Sequence, residues 1–154
     1  TIQEILDLNQ ADSVHSPVVA PYFREEFYGS YEGTNMDWAW YNAGAPHGYN
    51  TFKEIVLASS IGQAKDWLKE ADPFHDAENN QEYWERMNKG LELIRHADLP
   101  EDANVLWVSH GNTLLSLVEK FGGGKYDVTV RPKNGSLTTA TLTDHDFKIE
   151  EYDK

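Results

Sequence analysis

No cysteine occurs among the 154 residues, so the chain can form neither a disulfide framework nor a thiolate metal site. Cations are scarce as well: 13 Lys and Arg stand against 26 Asp and Glu, for a formal net charge of -13. With no cluster of Lys and Arg, nucleic acid and anionic membranes are poor partners, and an anionic small molecule can bind only where the few cations are gathered. No apolar run approaches the roughly 18 residues of a membrane span, and the start does not read as a secretory signal. These absences make the cytoplasm the expected compartment. The chain also lacks an initiator methionine, beginning at Thr1.

What is there reads as a single domain over 1–154. Forty per cent of the residues are hydrophobic, and five Trp, eight Tyr and six Phe supply the bulk of a core. The stretch 104–113, NVLWVSHGNT, begins with a β-branched apolar run and is followed by Leu114, Leu115, Val118 and Phe121 at helical spacing. A buried strand is therefore expected over 105–108 and a helix after it, with the turn at His110-Gly111. Such a turn sets an imidazole at the carboxyl end of a strand, beside the unpaired N–H groups and positive dipole end of a helix. That is a place suited to an anion, and a phosphoryl group fits it.

Elsewhere, Ile2, Ile5 and Leu6 predict the tail of an amphipathic helix ending near residues 9–12. Val18-Val19-Ala20, between two prolines, predicts a short edge strand. Residues 23–33, dense in charge, aromatics and glycine, predict a shaped loop that approaches a ligand. Residues 34–49, with Trp38, Trp40 and Tyr41, show no period and predict an irregular aromatic wall. Helical patterning over 51–71 breaks near 59–62, and Pro73 ends it. A longer helix starts near Ala77, carries Trp84, Met87, Leu91 and Ile94, and ends near 97–100. Gly122-Gly123-Gly124 stops the helix after His110. Residues 126–130 alternate weakly, and 137–143 with 147–152 predict a hairpin turning at Asp144-His145-Asp146. Helices interleaved with strands define an α/β class.

An isolated histidine at a strand end often does no more than hydrogen-bond there. Here Gly111, which lets a ligand approach the backbone, favours a substrate contact for His110. Ser109 fits no nucleophile elbow, because Trp107 stands where Gly-x-Ser-x-Gly needs glycine. His75, Asp76 and Glu78 match no metal-ligand spacing and suit the acidic start of a helix, so no metal or cofactor is expected. Arg95-His96 suit a helix end. His15, His47 and His145 fall in expected loops and are read as solvated.

Three segments taken together resemble one family. Residues 105–112 resemble the second-histidine motif of the histidine phosphatase superfamily, the phosphoglycerate mutase-like family. Arg24-Glu25-Glu26-Phe27-Tyr28-Gly29-Ser30-Tyr31-Glu32-Gly33 is similar to its acidic motif, in which Arg-Glu leads into a Gly-x-aromatic-Glu-Gly turn. Asn134-Gly135-Ser136 is similar to its late Asn-x-Ser segment, and the three follow the family's order and spacing. The resemblance implies a three-layer sandwich, a mostly parallel mixed sheet flanked by helices. It also implies hydrolysis of phosphate monoesters through a phosphohistidine, on a small phosphorylated substrate and without a cofactor. By position, Glu25 matches the proton donor and His110 the second histidine of the phosphate pocket, assisted by the N–H groups of Gly111 and Asn112. Tyr28 and Gly29 match the substrate pocket. The chemistry is sound on general grounds: a neutral imidazole is a nucleophile near neutral pH, cationic donors stabilise the transferring group, and an acid protonates the departing oxygen.

The chain departs from that pattern in one respect. The Arg-His-Gly motif that supplies the nucleophile, and a later arginine, are not in it. The resemblance therefore implies an upstream segment of roughly 70 residues and makes 1–154 the C-terminal two thirds of the domain. Two other readings remain open. One is mutase-type phosphoryl transfer, against which residues 36–49 contain no Lys or Arg. The other is a non-catalytic relative that binds a ligand or partner without turnover.

Overall fold

The computed structural model describes residues 2–8 and 17–154. In chain order it contains α1 (Ile2–Leu8), α2 (Met36–Gly44), α3 (Phe52–Ala58), α4 (Ile61–Ala71), α5 (Asn80–Arg95), α6 (Gly111–Phe121), β1 (Thr139–Leu142) and β2 (Phe147–Glu151). Single turns of 3-10 helix occur at Pro21–Phe23, Gly29–Tyr31 and Ala45–His47.

Local side-chain chemistry sets most helix starts. Asn35 accepts from the N–H groups of Asp37 and Trp38, Thr51 from Glu54, and Ser60 from Gln63, each supplying an acceptor to an otherwise orphaned donor. At α5 the capping is reciprocal, since Asn79 accepts from the Glu82 N–H while the Glu82 carboxylate accepts from the Asn79 N–H. Residues 34–49 are thus not an irregular wall. Their periodicity is masked because the buried face of α2 is Ala39, Trp40, Ala43 and Gly44, mostly small residues that admit close packing of α4.

Two hydrophobic clusters carry the fold. One gathers Tyr28, Tyr31, Trp40, Ile55 and Leu68 from the acidic turn and α2–α4. The other gathers Phe23, Tyr83, Met87, Leu91, Leu117 and Phe147 around α5, α6 and the hairpin. Val56, Ile61 and Leu115 form a third, smaller cluster between α3, α4 and α6. At about 1.5–3 kcal/mol for each fully buried large side chain, these clusters fix α6 against both halves.

The hairpin forms where it was expected, β1 antiparallel to β2, with Ala140 opposite Ile149 and a register shift beside Thr139. It is the only sheet among the described residues. The described residues thus form a helical assembly with one small antiparallel sheet, and the expected three-layer sandwich with a mostly parallel sheet is not seen among them. Residues 105–108 run without a ladder partner, with Val105 51 % and Leu106 56 % exposed. A strand exists only through its hydrogen-bonded neighbour, and none of the described residues supplies one there. For the same reason 18–20 and 126–130 are not strands, and Val19 is 90 % exposed. The end of the first helix and His15 lie outside the described residues. His47 is not simply solvated: it stacks on Trp67 with ring centroids 4.0 Å apart and meets Glu70 at 3.4 Å.

Candidate active site

The acidic turn is fastened from both ends before it presents any chemistry. Phe23 is buried over Gly90, where a Cβ would stand 2.4 Å from the ring, and its other side meets Trp107 at 4.1 Å between centroids. Buried Glu78 then clamps the backbone that follows. Its N–H donates to the Phe27 carbonyl at 2.8 Å, and its carboxylate receives Arg86 through Nε at 2.7 Å and Nη2 at 2.6 Å, a bidentate pair. Arg24 adds a third donor to Glu78 at 3.2 Å, and Arg86 returns to the Arg24 carbonyl at 3.0 Å.

Glu25 lies between these anchors and reaches α6. Its Oε1 accepts from the Thr113 N–H and Thr113 Oγ1, both at 3.0 Å, and from the Glu26 N–H at 3.1 Å. Its Oε2 accepts from the Asn112 N–H alone, at 3.1 Å. His110 occupies the N-cap position of α6 but makes no capping bond with its side chain. A carboxylate 87 residues earlier in the chain caps the helix instead. The donors at this N-terminus thus meet the protein's own carboxyl group, and the Asn112 N–H, expected on phosphate from the sequence, donates to Glu25.

Asn112 also ties in Tyr28, donating from Nδ2 to the phenolic oxygen. Burial first, and then the negative charges of Glu26 and Glu25, push the Tyr28 hydroxyl far above its ordinary pKa, so it remains a phenol. Gly29 faces elsewhere. It has φ +58°, and a Cβ there would lie 2.0 Å from Asp72 Oδ2, so only glycine fits the turn. The structure therefore brings Glu25, Tyr28, His110, Gly111 and Asn112 together and turns Gly29 toward Asp72.

Sequence reasoning missed two members of this neighbourhood. Lys65 is buried, with Nζ 3.4 Å from Glu26 Oε2, 2.8 Å from Ser116 Oγ and 4.5 Å from the centre of the Tyr83 ring. Burial pushes the Glu26 carboxyl up to about 7, with Lys65 acting in the opposite direction. The clue was the spacing Ile61, Ala64, Lys65, Leu68, which sets a lysine within the apolar face of α4. The second is Arg131, whose Cδ approaches Gly111 to 3.9 Å of a Cβ position. Nothing in the sequence around Arg131 pointed there.

The first turn of α6 thus brings together a carboxyl group held on the helix N-terminus and an exposed histidine that opens the helix. Residues 48–154 match the histidine phosphatase superfamily (branch 1), and the chain belongs to that family. It is also similar to the crystal structure of phosphoglycerate mutase from Bacillus anthracis str. Sterne, with 26 % identity and a TM-score of 0.72 over 86 % of this chain and 58 % of that one. The chain therefore spans somewhat more than half the length of that mutase. No curated protein matches it. Among the described residues, no helix is long and apolar enough to cross a membrane.

Proposed function

We propose that the protein hydrolyses phosphate monoesters through a phosphohistidine, with the nucleophilic histidine supplied from outside 1–154. In that reading a histidine nitrogen attacks phosphorus, the P–O ester bond breaks, and the leaving oxygen takes a proton from Glu25. Water then attacks phosphorus as Glu25 accepts its proton, the N–P bond breaks, and inorganic phosphate and the free histidine are released. The observation that carries the reading is Glu25 fastened to the N-terminus of α6 beside His110. Oε1 already accepts three donors and Oε2 only one, so Oε2 is the oxygen that exchanges the proton. His110, exposed and uncommitted to a cap, contacts the phosphoryl oxygens.

The apolar run at 105–108, which has no ladder partner among the described residues, and the 58 % span support an inner strand of a larger sheet, so the three-layer architecture belongs to the complete domain in this proposal. Mutase-type transfer is the second reading, favoured by the likeness to the Bacillus anthracis enzyme. Against it, α2 and the turn after it offer no Lys or Arg to a second acidic group on the substrate.

The test is turnover of p-nitrophenyl phosphate by the full-length protein, together with acid quenching to look for acid-labile phosphoprotein. Glu25→Gln is expected to lower kcat by about 10²–10⁴-fold. Wild-type protein that shows neither turnover nor a phosphorylated histidine would overturn the proposal and leave ligand binding without turnover.

A further inference from the structure

The cations around this site are nearly all spoken for. Arg24 and Arg86 both pair with Glu78, and Lys65 is held between Glu26 and Ser116. Arg131 differs from them. It is exposed, and it makes no ion pair or hydrogen bond with any described residue. Its aliphatic stem nonetheless lies over Gly111, at the first turn of α6. Its charge also reaches inward far enough to favour the ionised form of the Tyr28 hydroxyl, against the effect of burial.

Two acceptors at the same place lack donors. Asn112 is 2 % exposed, and its Oδ1, on the amide whose Nδ2 meets Tyr28, has no partner; buried Ser109 Oγ, one residue before His110, has none either. A buried acceptor left without a donor costs free energy, and a guanidinium has five N–H groups to share between such an acceptor and a bound oxyanion. Glu25, Glu26 and Glu32 make the surroundings acidic, so an anion entering here needs at least one uncompensated cation.

We propose that Arg131 is that cation: it binds the phosphoryl oxygens of the substrate from the loop after α6, where its stem lies over Gly111, the residue after His110. This deepens the phosphoryl-transfer reading and rests on it for the choice of anion. It also adds to the site a residue that none of the recognised motifs contains. A planar guanidinium suits the task because it offers two parallel donors to one phosphate.

The test is direct binding of inorganic phosphate to the full-length protein by titration calorimetry, which needs no turnover and so stands apart from the assay above. Arg131→Gln is expected to weaken phosphate binding by about ten- to a hundredfold, and Arg131→Lys to restore part of the loss. Lys133→Gln removes the same charge from the same loop and is expected to change affinity less than about threefold. Equal losses for Arg131→Gln and Lys133→Gln would reduce the effect to general charge and overturn the assignment. A wild-type protein that binds no phosphate would overturn it too. Phosphate binding that depends on Arg131 in a protein that turns over nothing would keep Arg131 as the anion contact while removing the hydrolytic reading.

Discussion

The acidic turn and the approach to His110 meet at the first turn of α6, yet they are built on opposite terms. Around the turn, the carboxyl groups meet opposite charge or helix donors: Glu78 has two arginines, Glu26 has Lys65 at 3.4 Å though no hydrogen bond, and Glu25 has three groups of α6 and its own neighbour's N–H. Along 105–109 the backbone has no ladder, two apolar side chains stand half in solvent, and Trp107 Nε1 and Ser109 Oγ are buried without partners. The acid half of the site is thus determined by contacts inside this chain, whereas the histidine half is held chiefly by Trp107 on Phe23 and by α6 itself. Substitutions should therefore be costly on the first side and mild on the second.

The largest effect is expected at Lys65. Lys65→Met leaves the Glu26 carboxylate buried without a counter-charge and should cost about 3–5 kcal/mol at pH 8. The cost should depend on pH in a definite direction. Glu26 titrates near 7 in the fold against 4.5 in the unfolded chain, so its contribution is fully present below pH 4.5 and is lost as pH rises through 7. At pH 5 the carboxyl is protonated in the fold, and Lys65→Met should then cost only the lost packing and hydrogen bond to Ser116, about 1–2 kcal/mol. Urea unfolding of both proteins at pH 5 and 8 reads the difference. Equal costs at the two pH values would mean that the pair is not the buried ion pair described.

A smaller effect is expected where the two regions touch. Gly90→Ala adds a methyl group within 2.4 Å of the Phe23 ring, which is itself wedged against Trp107. Overpacking of this kind costs about 1–3 kcal/mol, less up to about 1 kcal/mol returned by the better helix propensity of alanine. Because Phe23 leads directly into Arg24 and Glu25, the variant should also lower kcat more than it raises KM. A melting temperature and kcat both unchanged would show that Phe23 is free to step aside.

The same contrast explains what could be read in the sequence. The helices after 51, the hairpin and the turn at His110 were legible because caps, glycine stops and apolar spacing are local chemistry. Arg95 at the end of α5 was legible too, as a cation at a helix terminus. The acidic turn was legible as a motif, but its partners were not: Glu25 reaches Thr113 across 88 positions, and no local pattern announces such a cap. Lys65 left a trace in the spacing of α4, and Arg131 left none. The run at 105–108 reads as a buried strand because its composition is that of one. Composition specifies what a segment needs around it, but the ladder and the cover must come from elsewhere in space.

The smallest effect is expected on that run. Leu106 is 56 % exposed, so Leu106→Ser in the 154-residue chain should change unfolding free energy by less than about 0.5 kcal/mol. Covered by a neighbouring strand, the same leucine would contribute about 1.5–3 kcal/mol, and serine would also bring a hydroxyl into an apolar layer. Urea unfolding of the 154-residue chain and of the full-length protein, each with and without Leu106→Ser, separates the two cases. A large cost confined to the full-length protein would indicate an inner position for 105–108 and support the proposed sheet. A large cost in the 154-residue chain at high concentration alone would indicate instead that copies of the chain cover one another there. Negligible cost in both would leave the run exposed and remove the structural argument for an upstream strand, with the acid half of the site unaffected.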